Sequence, residues 1–505
     1  MRFKKAAAAA LLVIALAANG APAFAAPSVP NLNVDGLFTA FRTKPQNENG
    51  VTMMAMRELA NYVNAIVEWK DSSQTATLTK GQTTLIMTVN VTRATLNGED
   101  VKLPAAPMYN SGQVMQDILV PMRYVAETFG ATVGWDGNTN TITLTTGNDP
   151  LKILDINQPT TANAIVIGYD DALNNAYAAN NTLLNLQQSV ALLNEQHGNA
   201  VSDLNMMGSV VDLDSTNFAN ALRSLKQLED TMANIPINQQ IVKESTEFML
   251  RNALSTIAMD EMDLQILNEN INLQTNVVKN TQLKLDLGMA SNSDLTSAQQ
   301  NLALSQASLQ QLQTKISNER GNLGQILNLP MDREIIVNFE PTVDPAPQPG
   351  IDALVADIVP KDPTLKLKQT AINEAQYAVD TFNDTETESK LQLQTNLTTA
   401  SRDYDDTKRN LEAAMRSTYG QITQIQQSES SLEINVQQAR DQYKTLSANY
   451  QAGMVTLYDL DGGRVAILKA ESALEKNAYT YWTLSFGLQH PYLMVSSGSG
   501  SSSGS

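Results

Sequence analysis

The chain has 505 residues, 52 of them acidic and 34 basic, for a formal charge of −18, with two histidines and no cysteine. That length exceeds one ordinary core, so two or three domains are expected. No basic cluster invites nucleic acid, and without thiols neither disulfides nor cysteine-bound metal can hold the fold.

Residues 1–25 read as a secretory signal peptide. "MRFKK" is a cationic head, "AAAAALLVIALAA" an apolar run, and "APAFA" a small-x-small site with cleavage expected after Ala25. The mature protein is therefore expected outside the cytoplasm, in the cell envelope or at the cell surface. A secreted chain without disulfides must rely on packing and on length of helix. No later stretch reaches the roughly 18 consecutive apolar residues of a membrane-spanning helix.

Residues 27–148 are rich in Thr, Val and Gly and carry short alternating runs such as "TATLT" and "NTITLTT". Period-two alternation predicts half-buried strands. Met56–Leu78 aligns with Met122–Leu144, with Met-Arg, Trp69/Trp135 and Thr-Leu coinciding. Each copy reads as a short helix and then a hairpin, turning at "KDSS" or "DGNT". These two copies, across residues 36–146, resemble the stalk domain named after the N-terminal domain of copper amine oxidases. The resemblance implies a small α+β module for spacing or attachment. With neither His nor Cys in the stretch, copper ligation is not expected. Asp136, Asn138 and Asn140 are spaced like the start of a calcium loop. The sixth and twelfth loop positions hold Thr141 and Gly147 instead of Gly and an acid, so turn chemistry is the expected role.

From about residue 160 to 490 the texture changes to Gln, Asn, Leu, Ala and Ser with helical periodicity. Alternating steps of four and three from Leu411 reach Met415, Thr418, Ile422, Ile425, Glu429, Leu432, Val436, Ala439, Tyr443, Leu446 and Tyr450. That is a heptad seam of about 60 Å, and its period of 3.5 predicts left-handed supercoiling. Leu460, Ile467, Ala470, Leu474, Tyr481 and Leu484 continue it on a second helix. A first copy lies 165 positions earlier: Leu250 to Leu285 before Gly288, and Leu295 to Ile326 after it. Two long antiparallel hairpins follow, whose apolar stripes must be buried against each other or against other chains.

The bends themselves repeat, as "LGMASNSDL" and "AGMVTLYDL". Gly288 and Gly453 are expected as left-handed caps of the outgoing helices. Ser291 and Thr456 would be the N-caps of the return helices. Asp294 and Asp459 would complete shortened capping boxes and suit the positive helix ends.

This pattern, twice in tandem between long heptad helices, resembles the TolC family of efflux proteins. Tyr169–Ser189 and Ile351–Ala371 resemble that family's opening helices, and Glu319–Pro330 a repeat end. The resemblance implies a trimeric α-helical tube whose tips, with the six residues named above, dock a membrane-fusion adaptor and through it an inner pump. Members in the outer membrane add a β-hairpin per repeat, placed here at roughly Met206–Thr246 and Thr381–Asn410. Both windows are polar and poor in aromatics, unlike membrane strands, so no transmembrane β-barrel is expected. A chain of this kind with a stalk domain suggests a Gram-positive envelope, with cell-wall contact through the stalk.

The expected fold is thus mainly α, built of long antiparallel coiled-coil hairpins in two tandem repeats behind a small α+β stalk. The expected divisions are signal peptide 1–25, stalk 27–148, repeats 160–330 and 331–492, and a flexible tail 493–505. No nucleophile elbow, phosphate loop or zinc spacing occurs. His197 and His490 carry no ligand pattern, and Asp459–Gly463 lacks an acid at its twelfth position, Ala470. No catalytic residue, cofactor or metal is expected. Two functions remain open: a component of an export assembly, or a structural or adhesive surface protein that conducts nothing.

Overall fold

The computed structural model describes residues 29–495 except 40, 42, 71–72, 111–117, 149–163, 211–215, 331–332, 345–349 and 383–388. The expected signal peptide lies outside the described residues.

The N-terminal module runs β1 (Asn31–Val34), β2 (Leu37–Thr39), β3 (Gln46–Glu48), β4 (Val51–Ala55), α1 (Met56–Val63), β5 (Ile66–Lys70), β6 (Thr75–Lys80), β7 (Thr83–Thr88), β8 (Arg93–Leu96), β9 (Glu99–Lys102), β10 (Met108–Tyr109), β11 (Ile118–Pro121), α2 (Met122–Thr128), β12 (Thr132–Asp136) and β13 (Thr141–Thr145). The sequence copies become two strand–helix–hairpin units. Their lead strands β4 and β11 pair antiparallel, with Val120 opposite Met54, so each copy covers the other. Strand β1 runs parallel to β13, and the resulting sheet has the order β12-β13-β1-β2. Residues of β1, β4, β6, β7, β8, β11 and β13 meet helices α1 and α2 in one core that includes Leu32, Met54, Leu59, Val63, Leu78, Leu85, Val120, Val125 and Leu144. Of the paired tryptophans, Trp69 packs on that core while Trp135, on the edge strand, is largely exposed.

The helical region runs β14 (Ile165–Gly168), α3 (Tyr169–Ala179), α4 (Asn181–Val210), α5 (Thr216–Asp286), α6 (Asn292–Leu327), β15 (Ile335–Asn338), α7 (Ile351–Ile358), α8 (Pro363–Asp380), α9 (Lys390–Gln451), α10 (Leu457–Gln489) and α11 (Tyr492–Val495). Every heptad position named above is buried or half-buried along α5, α6, α9 and α10. At 71 residues, α5 extends about 105 Å. Its lower half stands beside α10, so that the helices line up as α6–α5–α10–α9 in an open palisade. Polar pairs fix the antiparallel register of the two inner helices. Asn276 donates to Asp461 at 3.0 Å, Arg464 meets Glu269 at 3.5 Å, Lys476 meets Asp263 at 2.6 Å, and Ser255 meets Thr483 at 3.0 Å.

Farther from the bends the row becomes α4–α5–α8–α9. The windows that would hold membrane strands are, among the described residues, helical apart from Thr381, Phe382 and Ser389. Arg223 joins the two repeats there. Its guanidinium donates to the Ala378 and Thr381 carbonyls at 3.2 and 2.8 Å and to Thr381 Oγ1 at 3.0 Å. A cation thus serves carbonyls that the end of α8 leaves without a helical partner. Among the described residues no helix is long and apolar enough to cross a membrane.

Two features differ from the sequence reading. Strands β14 and β15 form a parallel ribbon, Ile165 beside Ile335 and Gly168 beside Asn338, that ties the start of the first repeat to the residues just past 331. Four apolar residues cannot be assigned to strand or helix by period alone, and the partner lies 170 positions away. The order also continues past the expected tail boundary at 493, because Leu493 is buried in α11 and Met494 packs on Gly487.

Candidate functional site: the paired hairpin tips

Both bends lie at one end of the palisade, just beyond the Asn276–Asp461 contact. Gly288 and Gly453 have φ of +72° and +70°. A Cβ on either would meet nothing within 4 Å, so the dihedral, not space, demands glycine. Two backbone bonds close each outgoing helix. Gly288 N–H donates to Leu285 at 2.9 Å and Met289 N–H to Lys284 at 2.7 Å. Gly453 N–H donates to Tyr450 at 3.0 Å and Met454 N–H to Asn449 at 2.9 Å. These are two matching Schellman closures.

The return helices start as reciprocally as the outgoing ones end. Ser291 N–H donates to Asp294 Oδ2 at 2.8 Å, and Asp294 N–H donates back to Ser291 Oγ at 3.2 Å. In the second repeat, Thr456 N–H reaches Asp459 Oδ2 at 2.8 Å and Asp459 N–H reaches Thr456 Oγ1 at 3.3 Å. The Ser291 backbone bond and hydroxyl hold the Asp294 carboxyl below the ordinary carboxylate range. The Thr456 hydroxyl and backbone do the same for Asp459. Each tip is thereby rigid, negatively charged, and flanked by exposed apolar side chains. Met289 and Met454 are 74% and 69% exposed, with Leu283, Leu287 and Tyr458 beside them.

One tip residue escaped the sequence reading. A Cβ on Gly463 would sit 2.7 Å from Leu446 Cδ1 and 3.2 Å from Tyr443 Cδ2, so this glycine lets α10 close onto α9. The equivalent of Gly463 in the first repeat is the buried Ala298. The exchange lies just beyond the two repeated turn motifs, which end at Leu295 and Leu460.

The other candidates resolve into local structure. Asp136 accepts from Asn138 N–H at 2.9 Å and Thr139 Oγ1 at 2.8 Å, so its carboxylate is occupied by the turn. His490 Nδ1 lies 3.1 Å from Glu244 and packs on Phe486, while His197 pairs with Glu229 at 3.5 Å. Burial pushes the Glu244 carboxyl upward, but hydrogen bonds from His490, Gln240 and Tyr492 outweigh it and leave the group below its ordinary range. Among the described residues no three His, Asp or Glu converge as a metal-binding group.

A second convergence, unmarked in the sequence, lies where the β14–β15 ribbon meets the helices. Arg251 of α5 sits 4.6 Å from the Trp482 ring and 4.5 Å from Phe486, and its guanidinium pairs with Glu247 at 2.7 Å. Tyr169 closes the group, 5.3 Å from Phe339 and hydrogen-bonded to Glu247 at 3.2 Å. The group has the form of a clamp between repeats: charge balanced inside an aromatic box.

Residues 33–144 and, overlapping them, 115–174 match the copper amine oxidase N-terminal domain family. No curated protein matches the sequence. The fold is similar to solved bacterial outer-membrane channels. CmeC of Campylobacter jejuni aligns with a TM-score of 0.46 at 11% identity, over 65% of this chain and 86% of that one. OprN aligns with a TM-score of 0.45 at 14% identity, over 63% and 90%. The open state of MtrE from Neisseria gonorrhoeae aligns with a TM-score of 0.42 at 11% identity, over 68% and 95%.

Proposed function

We propose that the chain is a TolC-like component of an envelope export assembly, a helical tube or docking element whose two capped tips meet an adaptor. One observation carries this reading: an open palisade, α6–α5–α10–α9, ends in two matching rigid bends at the same end. An open row whose outer edges differ, α6 on one side and α9 on the other, associates head to tail and closes as a ring. Leu304 on α6 and Ile434 on α9 are exposed apolar residues on those outer helices. Rotational closure with three copies, as in the family it resembles, brings six tips into one rim. Gly288, Ser291, Asp294, Gly453, Thr456 and Asp459 then shape the docking surface. An inner pump would be reached through the adaptor, and the stalk would contact the cell wall.

The test is assembly state. Light scattering of the mature chain at micromolar concentration should give the mass of a trimer, and a strict monomer would remove the tube. A second reading, a non-conducting surface protein on the same scaffold, is favoured by the helices that occupy most of the described residues in both windows where membrane strands would stand. It predicts binding to purified cell wall with unchanged export on deletion.

A further inference from the structure

The sheet β12-β13-β1-β2 ends at β2, and this edge strand lies on α9 near the second tip. Ser447 Oγ donates to the Phe38 carbonyl at 2.8 Å. Leu37 enters an apolar cluster formed by Ala439, Tyr443, Leu446, Tyr450, Leu460 and Ile467. Ser447, a polar residue near the C-terminal end of α9, is only 2% exposed. An edge strand presents backbone groups that no neighbouring strand satisfies, and here a helix hydroxyl takes one of them.

The first hairpin has no such seat. The residue 165 positions before Ser447 is Gln282, which is exposed and donates to Asp286 at 2.8 Å. Val278 and Leu285 stand where the second repeat has Tyr443 and Tyr450. Leu283 and Leu287 are exposed there, whereas the second repeat carries the small Ala448 and Ala452. The two flanks therefore differ in chemistry although their bends match.

We propose that the Tyr443–Ser447–Tyr450 face of α9 is a binding surface for the strand Leu37–Thr39, and that this contact is an exchangeable latch. While it is closed, the stalk covers the flank of the second hairpin and leaves that of the first open. Among the described residues, the Ser447 hydroxyl bond and the inserted Leu37 join the strand to α9, a small contact that a competing helix can replace. The consequence for docking rests on the function proposed above: an adaptor helix meets the first flank directly and must displace β2 to meet the second. The latch itself does not depend on that function.

Hydrogen exchange read by mass spectrometry on the full chain tests the latch from both sides. Leu37→Asp removes the inserted apolar group and Ser447→Trp fills the seat. Each should speed exchange at least tenfold in residues 439–450, and Ser447→Trp should do so in 31–39. Small-angle scattering should show a larger radius of gyration for both. Gln282→Trp, at the equivalent place in the first hairpin, should change neither segment. Unchanged exchange of residues 439–450 in Leu37→Asp would overturn the latch, even if Ser447→Trp perturbs the tip by bulk. A monomeric wild type with protected 31–39 would sink the tube and leave the latch standing.

Discussion

The two hairpin tips are the same device built twice, yet their surroundings diverge within two helical turns. At the bends, the dihedrals of Gly288 and Gly453 agree within 2° and both capping boxes are complete. Around them, the first tip has Ala298 between its helices and exposed leucines on its flank. The second has Gly463, two tyrosines and a strand of the stalk. Backbone closure is fixed by local geometry and repeats faithfully. Side-chain volume at the interface follows whatever packs there, and so does not.

The divergence can be broken most strongly at the clamp that both repeats share. Arg251→Ala would strip a half-buried ion pair and its aromatic contacts and leave Glu247 uncompensated, costing about 3 kcal/mol. Denaturant unfolding followed by circular dichroism would measure it. Gly463→Val should come next. The added methyl groups would collide with Leu446 and Tyr443, costing about 1–3 kcal/mol, whereas Ala298→Val in the other hairpin should cost less. An equal cost at both positions would mean that the spacings of the two hairpins do not differ.

Smaller and equal effects are expected where the tips match. Gly288→Ala and Gly453→Ala each force a left-handed dihedral on an L side chain, about 1–2 kcal/mol, detectable as equal shifts in the unfolding midpoint. Smallest is the acid response of the caps. The carboxyls of Asp294 and Asp459 titrate below their unfolded value of 3.8, so the unfolded chain binds protons first as pH falls. Their stabilisation is complete above that unfolded value and lost as the pH drops through the folded one. Asp294→Asn and Asp459→Asn should therefore destabilise at neutral pH and lose their difference from wild type as the pH falls through the lowered folded-state value, below 3.8. A difference that persists in acid would assign the carboxylates another role.

The seam and the bends were legible because both are periodic. Leu411 to Tyr450 recur at heptad spacing, and the glycine turn is written twice. The internal duplication of the stalk was legible for the same reason. What lacked a local signature was missed. Arg251, Tyr169, Phe339 and Trp482 come together from four places in the chain, and nothing in any one stretch announces the others. Across 216–246 and 390–410 the helical texture and the lack of membrane strands were legible, but no apolar seam was, because a polar, Gln- and Asn-rich stretch has weak amphipathicity. Those helices are sustained by length and by neighbours such as the Arg223 contact rather than by a strong apolar face.

The β14–β15 ribbon sets an order of events for the emerging polypeptide. Ile165 leaves the ribosome long before Ile335, and closing so large a loop is a slow, entropically costly step. The hairpin between them forms from near neighbours and can zip at once. The ribbon then acts as a completion seal: it can form only after the whole first unit has been delivered. A chain truncated before residue 335 should still show helical circular dichroism but leave the apolar side of Ile165 and Ile167 accessible to a fluorescent hydrophobic dye.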